Sequence, residues 1–227
     1  MLAAAALVLL VPRSLRQRLL PALLAYAVGG LLGAALLGLL PHALDQADAD
    51  VVFWTLLAGL VGSFALERLV LWRHCHDGEC GLHGAGGPLV LLGDGLHNLV
   101  DGVVIAGAFV TAVPLGVATT IAVMAHELPQ ELGDFAILLD AGYPPARALA
   151  LNTLSSAATP IGGLLGWLAL EAMRPLTPYL LALAAASFLY VAVADLIPGL
   201  HRRAAAGQGL VQLALVLAGV ATIALLG

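Results

Sequence analysis

Apolar runs long enough to cross a bilayer follow one another along this chain almost without a break, and that pattern limits the fold more than any other feature. A hydrocarbon core about 30 Å thick calls for roughly 20 largely apolar residues per helix. Such runs cover Leu19–Leu44, Val51–Trp72, Leu89–Val113, Leu115–Leu139, Ala146–Leu170, Tyr179–Leu200 and Gly209–Leu226. The 227 residues are 61% hydrophobic and 10% charged, with a mean hydropathy of +1.02, which excludes an ordinary globular domain. The chain reads as an all-α polytopic membrane protein, one transmembrane unit over residues 1–227, whose surroundings are a lipid bilayer and not nucleic acid. A further apolar run, Met1–Val11, covers about half of the hydrocarbon at about 1.5 Å per residue. Its positive cluster Arg13, Arg16 and Arg18 follows the run, the reverse of a signal peptide. It is therefore counted as the first of about eight transmembrane helices.

Every basic residue apart from histidine is an arginine, and the arginines set the expected orientation. Arginine-rich loops stay in the cytoplasm. With the N-terminus outside, Arg13, Arg16, Arg18, Arg68, Arg73, Arg147, Arg202 and Arg203 all fall on the inner side, and only Arg174 is external. The acidic stretch Asp45–Asp50 is then outside and the loop around residues 74–86 is cytoplasmic. The Ala, Leu, Gly and Arg bias points to a GC-rich bacterial gene, and so to the bacterial cell (inner) membrane.

Against this background GDGLHNLVDG, Gly93–Gly102, is out of place. On a helix turning about 100° per residue, with His97 as zero, Asn98 falls near about 100°, Asp101 near about 40° and Asp94 near about 60°. All four share one face. Charge in a bilayer core costs several kcal/mol unless paired, hydrated or metal-bound, so the stripe implies a wet or liganded interior. The next span repeats the device in MAHELPQELGD, Met124–Asp134: measured from His126, Glu127 falls near about 100°, Gln130 near about 40° and Asp134 near about 80°. The short link Ala112–Pro114 makes the two helices antiparallel neighbours, so that their polar faces meet in mid-membrane.

Imidazole nitrogen with carboxylate and amide oxygen is a borderline ligand set suited to Zn²⁺, Fe²⁺, Mn²⁺ or Co²⁺. A closed structural zinc site usually has four strong ligands, often thiolates; no cysteine lies in a span, and the spare amides suit a site that binds and releases. Pro129 removes one backbone donor inside the motif, and transporters use broken helices at midplane sites.

These two segments resemble the paired signature of the ZIP family of divalent-metal transporters: HNLVDG is followed by HELPQELGD, close to HExPHExGD. ALLGLLPHAL, LNTLSS (Leu151–Ser156) and FLYVAVADLIPG (Phe188–Gly199) are also similar to family segments. The resemblance implies His97, Asp101, His126 and Gln130 around one ion, with Asn98 and Glu127 around a second and Asp101 able to bridge. It also implies a 3+2+3 inverted repeat, alternating access by movement of one bundle against the other, inward transport of Zn²⁺ or of a related ion such as Cd²⁺, and a homodimer. Three features depart from the pattern: Gln130 stands where many members have histidine, Gly38 and Gly199 stand where relatives often have His and Glu, and the first helix is short.

Other polar residues are candidates for the transport path: His42, Asp94, Glu131, Asp134, Asn152 and Asp195. His42 sits near Asp45–Asp50 at the mouth, and Asp195 is an intramembrane charge. The loop HCHDGECGLHG offers His74, Cys75, His76, Cys80 and His83, read as a flexible metal-collecting loop, since a reducing compartment disfavours a disulfide and the cysteine spacing is too wide for a zinc ribbon. The alternative function is an intramembrane metallohydrolase, because HELPQE begins like HExxH. That motif needs a second histidine where this chain has Gln130.

Overall fold

The computed structural model describes residues 13–72, 86–202 and 209–226, and all of them fall in helices or short turns. The elements in chain order are α1 (Arg13–Gly33), a π-helical segment π1 (Ala34–Leu39), α2 (Leu40–Leu44), α3 (Ala49–Trp72), α4 (Gly86–Thr111), α5 (Val113–Asp140), α6 (Pro145–Ser156), α7 (Ala158–Met173), a 3-10 turn (Arg174–Leu176), α8 (Thr177–Tyr190), π2 (Val191–Leu196), α9 (Ile197–Arg202) and α10 (Gly209–Leu226). Each apolar run expected from the sequence between Leu19 and Leu226 is helical, apart from Ala112 and a turn at Ala157 that divides the run Ala146–Leu170 into two helices. By length and composition, the stretches Pro21–Leu44, Pro145–Ala169 and Thr177–His201 can cross a membrane, and Ala49–Ala65 and Gly209–Leu225 are shorter apolar helices. The described residues are thus all-helical, as in a membrane-embedded, multi-pass protein. The expected first helix, Met1–Val11, and the loop residues His74, Cys75, His76, Cys80 and His83 lie outside the described residues.

Local chemistry explains the breaks. Helix α5 ends in a left-handed cap at Gly142 (φ +86°), with Gly142 N donating to Leu139 O at 3.0 Å and Tyr143 N to Leu138 O at 3.1 Å. This satisfies the last carbonyls, and Pro144 and Pro145 then prevent continuation until α6 starts. The two π segments are six residues long, and each is followed two residues later by a proline, Pro41 or Pro198. Proline has no N–H, so the carbonyl four residues earlier, Leu37 or Ala194, loses its helical donor. The wider turn shows in the bonds that close each segment, Leu40 N donating to Ala35 O and Ile197 N to Ala192 O, five residues back. In π1 the neighbouring carbonyl of Gly38 also meets the His42 ring, Nδ1 at 2.9 Å.

In lipid there is little hydrophobic drive between helices, so close approach of small residues holds them together. The contacts fall into two groups: α4 with α5, α6 and α7, and α1 and π1 with α8, α10 and π2, with α3 laid on α8. At the crossing of α4 and α7 a β-carbon on Gly162 would collide with the Leu99 carbonyl, and one on Gly102 with the Thr159 carbonyl. Only glycine allows this approach. Between the groups, α1 lies along α5 with Gly30 opposite Ala122, and Ala25, Ala27, Leu31, Ala35, Ala122, Ala184, Ala185 and Phe188 form a dry core.

Candidate metal-binding site

Helices α4 and α5 are joined through a single residue, Ala112, so they run back along one another, and Thr111 to His97 and Val113 to His126 are nearly equal lengths of helix. This brings the two polar stripes level. The result is a cluster of His97, Asp101, His126 and Glu127, one ligand atom from each lying within 4.8 Å of all the others. His126, Glu127 and Asp101 are 0% exposed, whereas the His97 side chain is 18% exposed. Helix α5 passes through Pro129 without interruption.

The distances discriminate. His97 Nε2 and His126 Nε2 are 3.3 Å apart; Asp101 Oδ2 lies 3.2 Å from His126 Nε2 and 3.7 Å from His97 Nε2; Glu127 Oε1 lies 3.4 and 3.6 Å from the same nitrogens. Zinc–nitrogen and zinc–oxygen bonds of about 2.0 Å put neighbouring ligand atoms of a tetrahedron roughly 3.3 Å apart. Every edge measured between the imidazoles and the carboxylates is close to that length. Among the described residues, both oxygens of Asp101 and of Glu127 are buried without a hydrogen-bond donor. Such atoms are costly in a protein interior, and a cation bound among them removes the cost.

The surroundings orient the ligands. His126 Nδ1 is 3.2 Å from the Ala122 carbonyl, so Nδ1 carries the donor hydrogen and the Nε2 lone pair is left for the cluster. Phe188 of α8, itself 0% exposed, stands edge-on to the His126 ring with centroids 6.0 Å apart. Neither Phe188 nor the Ala122 carbonyl was marked by the sequence, since one is apolar and the other is backbone.

Among the other candidates, Asn98 is 0% exposed and turned to the flank: Nδ2 donates to Asp94 Oδ1 at 3.0 Å and to Asp94 O at 3.1 Å, while Oδ1 accepts from Thr159 Oγ1 at 2.7 Å. Gln130 is half-buried one turn beyond His126. Glu131 is buried and held by Asn152 Nδ2 and Ser156 Oγ from α6, so the LNTLSS segment serves that carboxylate. Asp94, about one turn before His97 on α4, is buried, and Asp134, about two turns beyond His126 on α5, is half-buried. His42 is half-buried on α2 against the Gly38 carbonyl, and Asp195 is exposed on π2. Thr159 and Ser156 were not among the sequence candidates; a hydroxyl in an apolar span carries little signal until its partner helix is known.

Residues 73–227 match the family described as ZIP Zinc transporter, more than half of the chain. The chain belongs to the ZIP zinc transporter family. Similar relatives are zinc transporter ZIP10 of Mus musculus, 41% identical over 128 residues (55% of this chain, 15% of that protein), zinc transporter ZIP4 of Homo sapiens, 45% identical over 112 residues (49% and 17%), and zinc transporter ZIP6 of Homo sapiens, 39% identical over 121 residues (53% and 16%). The matched stretch is thus a small part of each relative's length. The ZIP family is one of transporters and not of enzymes, which removes the hydrolase alternative. The four-residue cluster lies inside the matched region.

Proposed function

We propose that this ZIP chain moves Zn²⁺ across the bacterial cell (inner) membrane into the cytoplasm, with the ion passing through the cluster of His97, Asp101, His126 and Glu127. One observation carries the reading: two imidazole nitrogens and two buried, donorless carboxylate oxygens from neighbouring helices stand at the edge lengths of a zinc tetrahedron. Such a mixed set also accepts Fe²⁺, Mn²⁺, Co²⁺ and Cd²⁺, with nitrogen donors tilting preference toward the later divalent ions. Gln130, one turn away, and Asn98, on the flank, serve as auxiliary ligands as the ion moves. A membrane potential negative inside favours entry by about 2.3 kcal/mol per charge per 100 mV, so a divalent cation needs no other drive where the gradient is shallow.

The arrangement is about eight transmembrane helices in a 3+2+3 inverted repeat, acting as a homodimer by alternating access, with residues 1–227 as one transporter domain and the loop at 74–86 collecting metal in the cytoplasm. What supports the repeat is the correspondence of π1 with π2: equal length, a proline at the same offset, and the similar strings GLLP and DLIP. The two packing groups are the bodies that move against each other, along the small-residue contact of α1 with α5. The test is uptake into proteoliposomes with Zn²⁺, Fe²⁺, Mn²⁺ and Cd²⁺ in competition. Saturable zinc uptake that the other ions inhibit is expected; absence of any divalent uptake by folded protein contradicts the proposal.

A further inference from the structure

Between the Ala112 link and His126, helix α5 is apolar and tightly packed: Leu115, Ala118, Ala122 and Val123 are at most 1% exposed and belong to the same dry core as Leu31, Ala35 and Phe188. Thr119 stands in the middle of this stretch. It is 0% exposed, and its Oγ1 is buried with no hydrogen-bond partner among the described residues. Other threonines of the spans behave differently: Thr55, Thr111, Thr120 and Thr222 each donate to the carbonyl four residues back, at 2.7–2.9 Å. Thr120, the very next residue, makes that bond with Gly116 O, whereas Thr119 does not make it with Leu115 O. A buried hydroxyl without a partner is costly, and valine has the same shape without the cost. Packing alone gives this hydroxyl no use.

Its place on the helix gives it one. Thr119 precedes His126 by two helical turns, so the two side chains leave α5 within about 20° of one another and about 10 Å apart along the axis. On that stripe of α5 only Ala122 and Val123 come between them. The arginine distribution puts the Ala112 link outside, so an entering ion reaches the level of Thr119 before it reaches the imidazoles. A cation shedding water in an apolar stretch pays heavily for each lost oxygen. We propose that Thr119 lies on the outer approach to the cluster and that its hydroxyl oxygen takes the place of one shell water as the divalent cation passes. This rests on the reading of the cluster as the transport site. A single neutral oxygen holds Zn²⁺ too weakly to be a site of its own, so Thr119 lowers the barrier ahead of His126 and leaves the affinity of the cluster alone.

The test compares Thr119→Val and Thr119→Ser in the full chain by zinc uptake into proteoliposomes, equilibrium zinc binding, and thermal unfolding in detergent. Thr119→Val should lower the maximal uptake rate by about tenfold, the loss of one polar contact to a charged group. Zinc affinity should stay within about twofold, because the cluster is a distant, independent site. The melting temperature should hold or rise, since a costly hydroxyl has gone. Thr119→Ser keeps the oxygen and should restore most of the rate. Maximal uptake as in the wild type by Thr119→Val overturns the proposal. So does a Thr119→Ser variant as slow as Thr119→Val, which assigns the effect to shape, or a lower melting temperature in Thr119→Val, which assigns the hydroxyl a structural partner. Zinc uptake as in the wild type by His97→Ala/His126→Ala overturns the reading of the cluster instead, so the two failures are distinguishable.

Discussion

The Nε2 atoms of His97 and His126, on different helices, stand 3.3 Å apart, with Asp101 Oδ2 between them at 3.7 and 3.2 Å. Two imidazole lone pairs converge on a carboxylate only where a proton or a metal ion joins them, and the backbone carbonyl of Ala122 fixes one ring in the metal-binding tautomer. Removing any of the three therefore removes a ligand and leaves the others facing one another. His97→Ala, Asp101→Ala and His126→Ala are each expected to abolish saturable zinc uptake with folded protein still in the membrane. Uptake as in the wild type by any one of them takes that residue out of the site.

The position of Asn98 predicts a different outcome. Its amide is tied to Thr159 on one side and to Asp94 on the other. Thr159→Val keeps the shape and removes the hydroxyl, a loss of about 1 kcal/mol of hydrogen bonding. About 1 kcal/mol is roughly fivefold, so we expect zinc half-saturation to change by less than about tenfold in Thr159→Val and in Asn98→Ala. Abolished uptake in Asn98→Ala with normal expression shows that the amide is an essential ligand.

Gln130 cannot carry a charge and is a poor zinc ligand. Gln130→His adds a nitrogen donor one turn from His126 on the same face. Zinc half-saturation should fall, the maximal rate should stay the same or decrease, and the preference for zinc over manganese should increase. Side-by-side uptake of both ions checks this, and unchanged values place Gln130 away from the ion path.

At the crossing of α4 and α7, the Leu99 carbonyl occupies the space a β-carbon at Gly162 needs. Gly162→Ala must push the helices apart, which costs about 1–3 kcal/mol in a well-packed interior. Thermal unfolding in detergent should occur at a lower temperature, and uptake should fall because α7 carries Thr159. An unaltered melting temperature contradicts the tight crossing.

Much of this was legible in the sequence because the bilayer enforces one element type. Runs of apolar residues gave helices in place, and the positions of His97, Asp101 and His126 on their stripes led to the cluster. What stands behind the ligands was less legible. Asn98 and Glu127 each follow a histidine by one residue and so stand at the same angle on their helices, yet Glu127 joins the imidazoles while Asn98 turns to Thr159. A helical angle fixes direction from one axis; which neighbour stands there depends on the crossing, set here by Gly102 and Gly162. The π segments were equally hidden, since Pro41 and Pro198 announce a lost hydrogen bond but not the wider turn that absorbs it.

Removal of the loop donors sets the loop apart from the transport site. Exchanging His74, Cys75, His76, Cys80 and His83 together for serine is expected to leave saturable zinc uptake in place, with at most a modest change in rate. Complete loss of uptake at normal expression assigns the loop an essential part.

The coordination shell of a single zinc ion tests the central claim most directly. X-ray absorption at the zinc edge, on purified chain loaded with one equivalent of Zn²⁺, should show a nitrogen and oxygen shell at about 2.0 Å with multiple scattering from two imidazoles. In His126→Ala one imidazole contribution should disappear. A sulfur shell at about 2.3 Å, or a spectrum that His97→Ala and His126→Ala leave unchanged, contradicts the assignment of the cluster as the metal site.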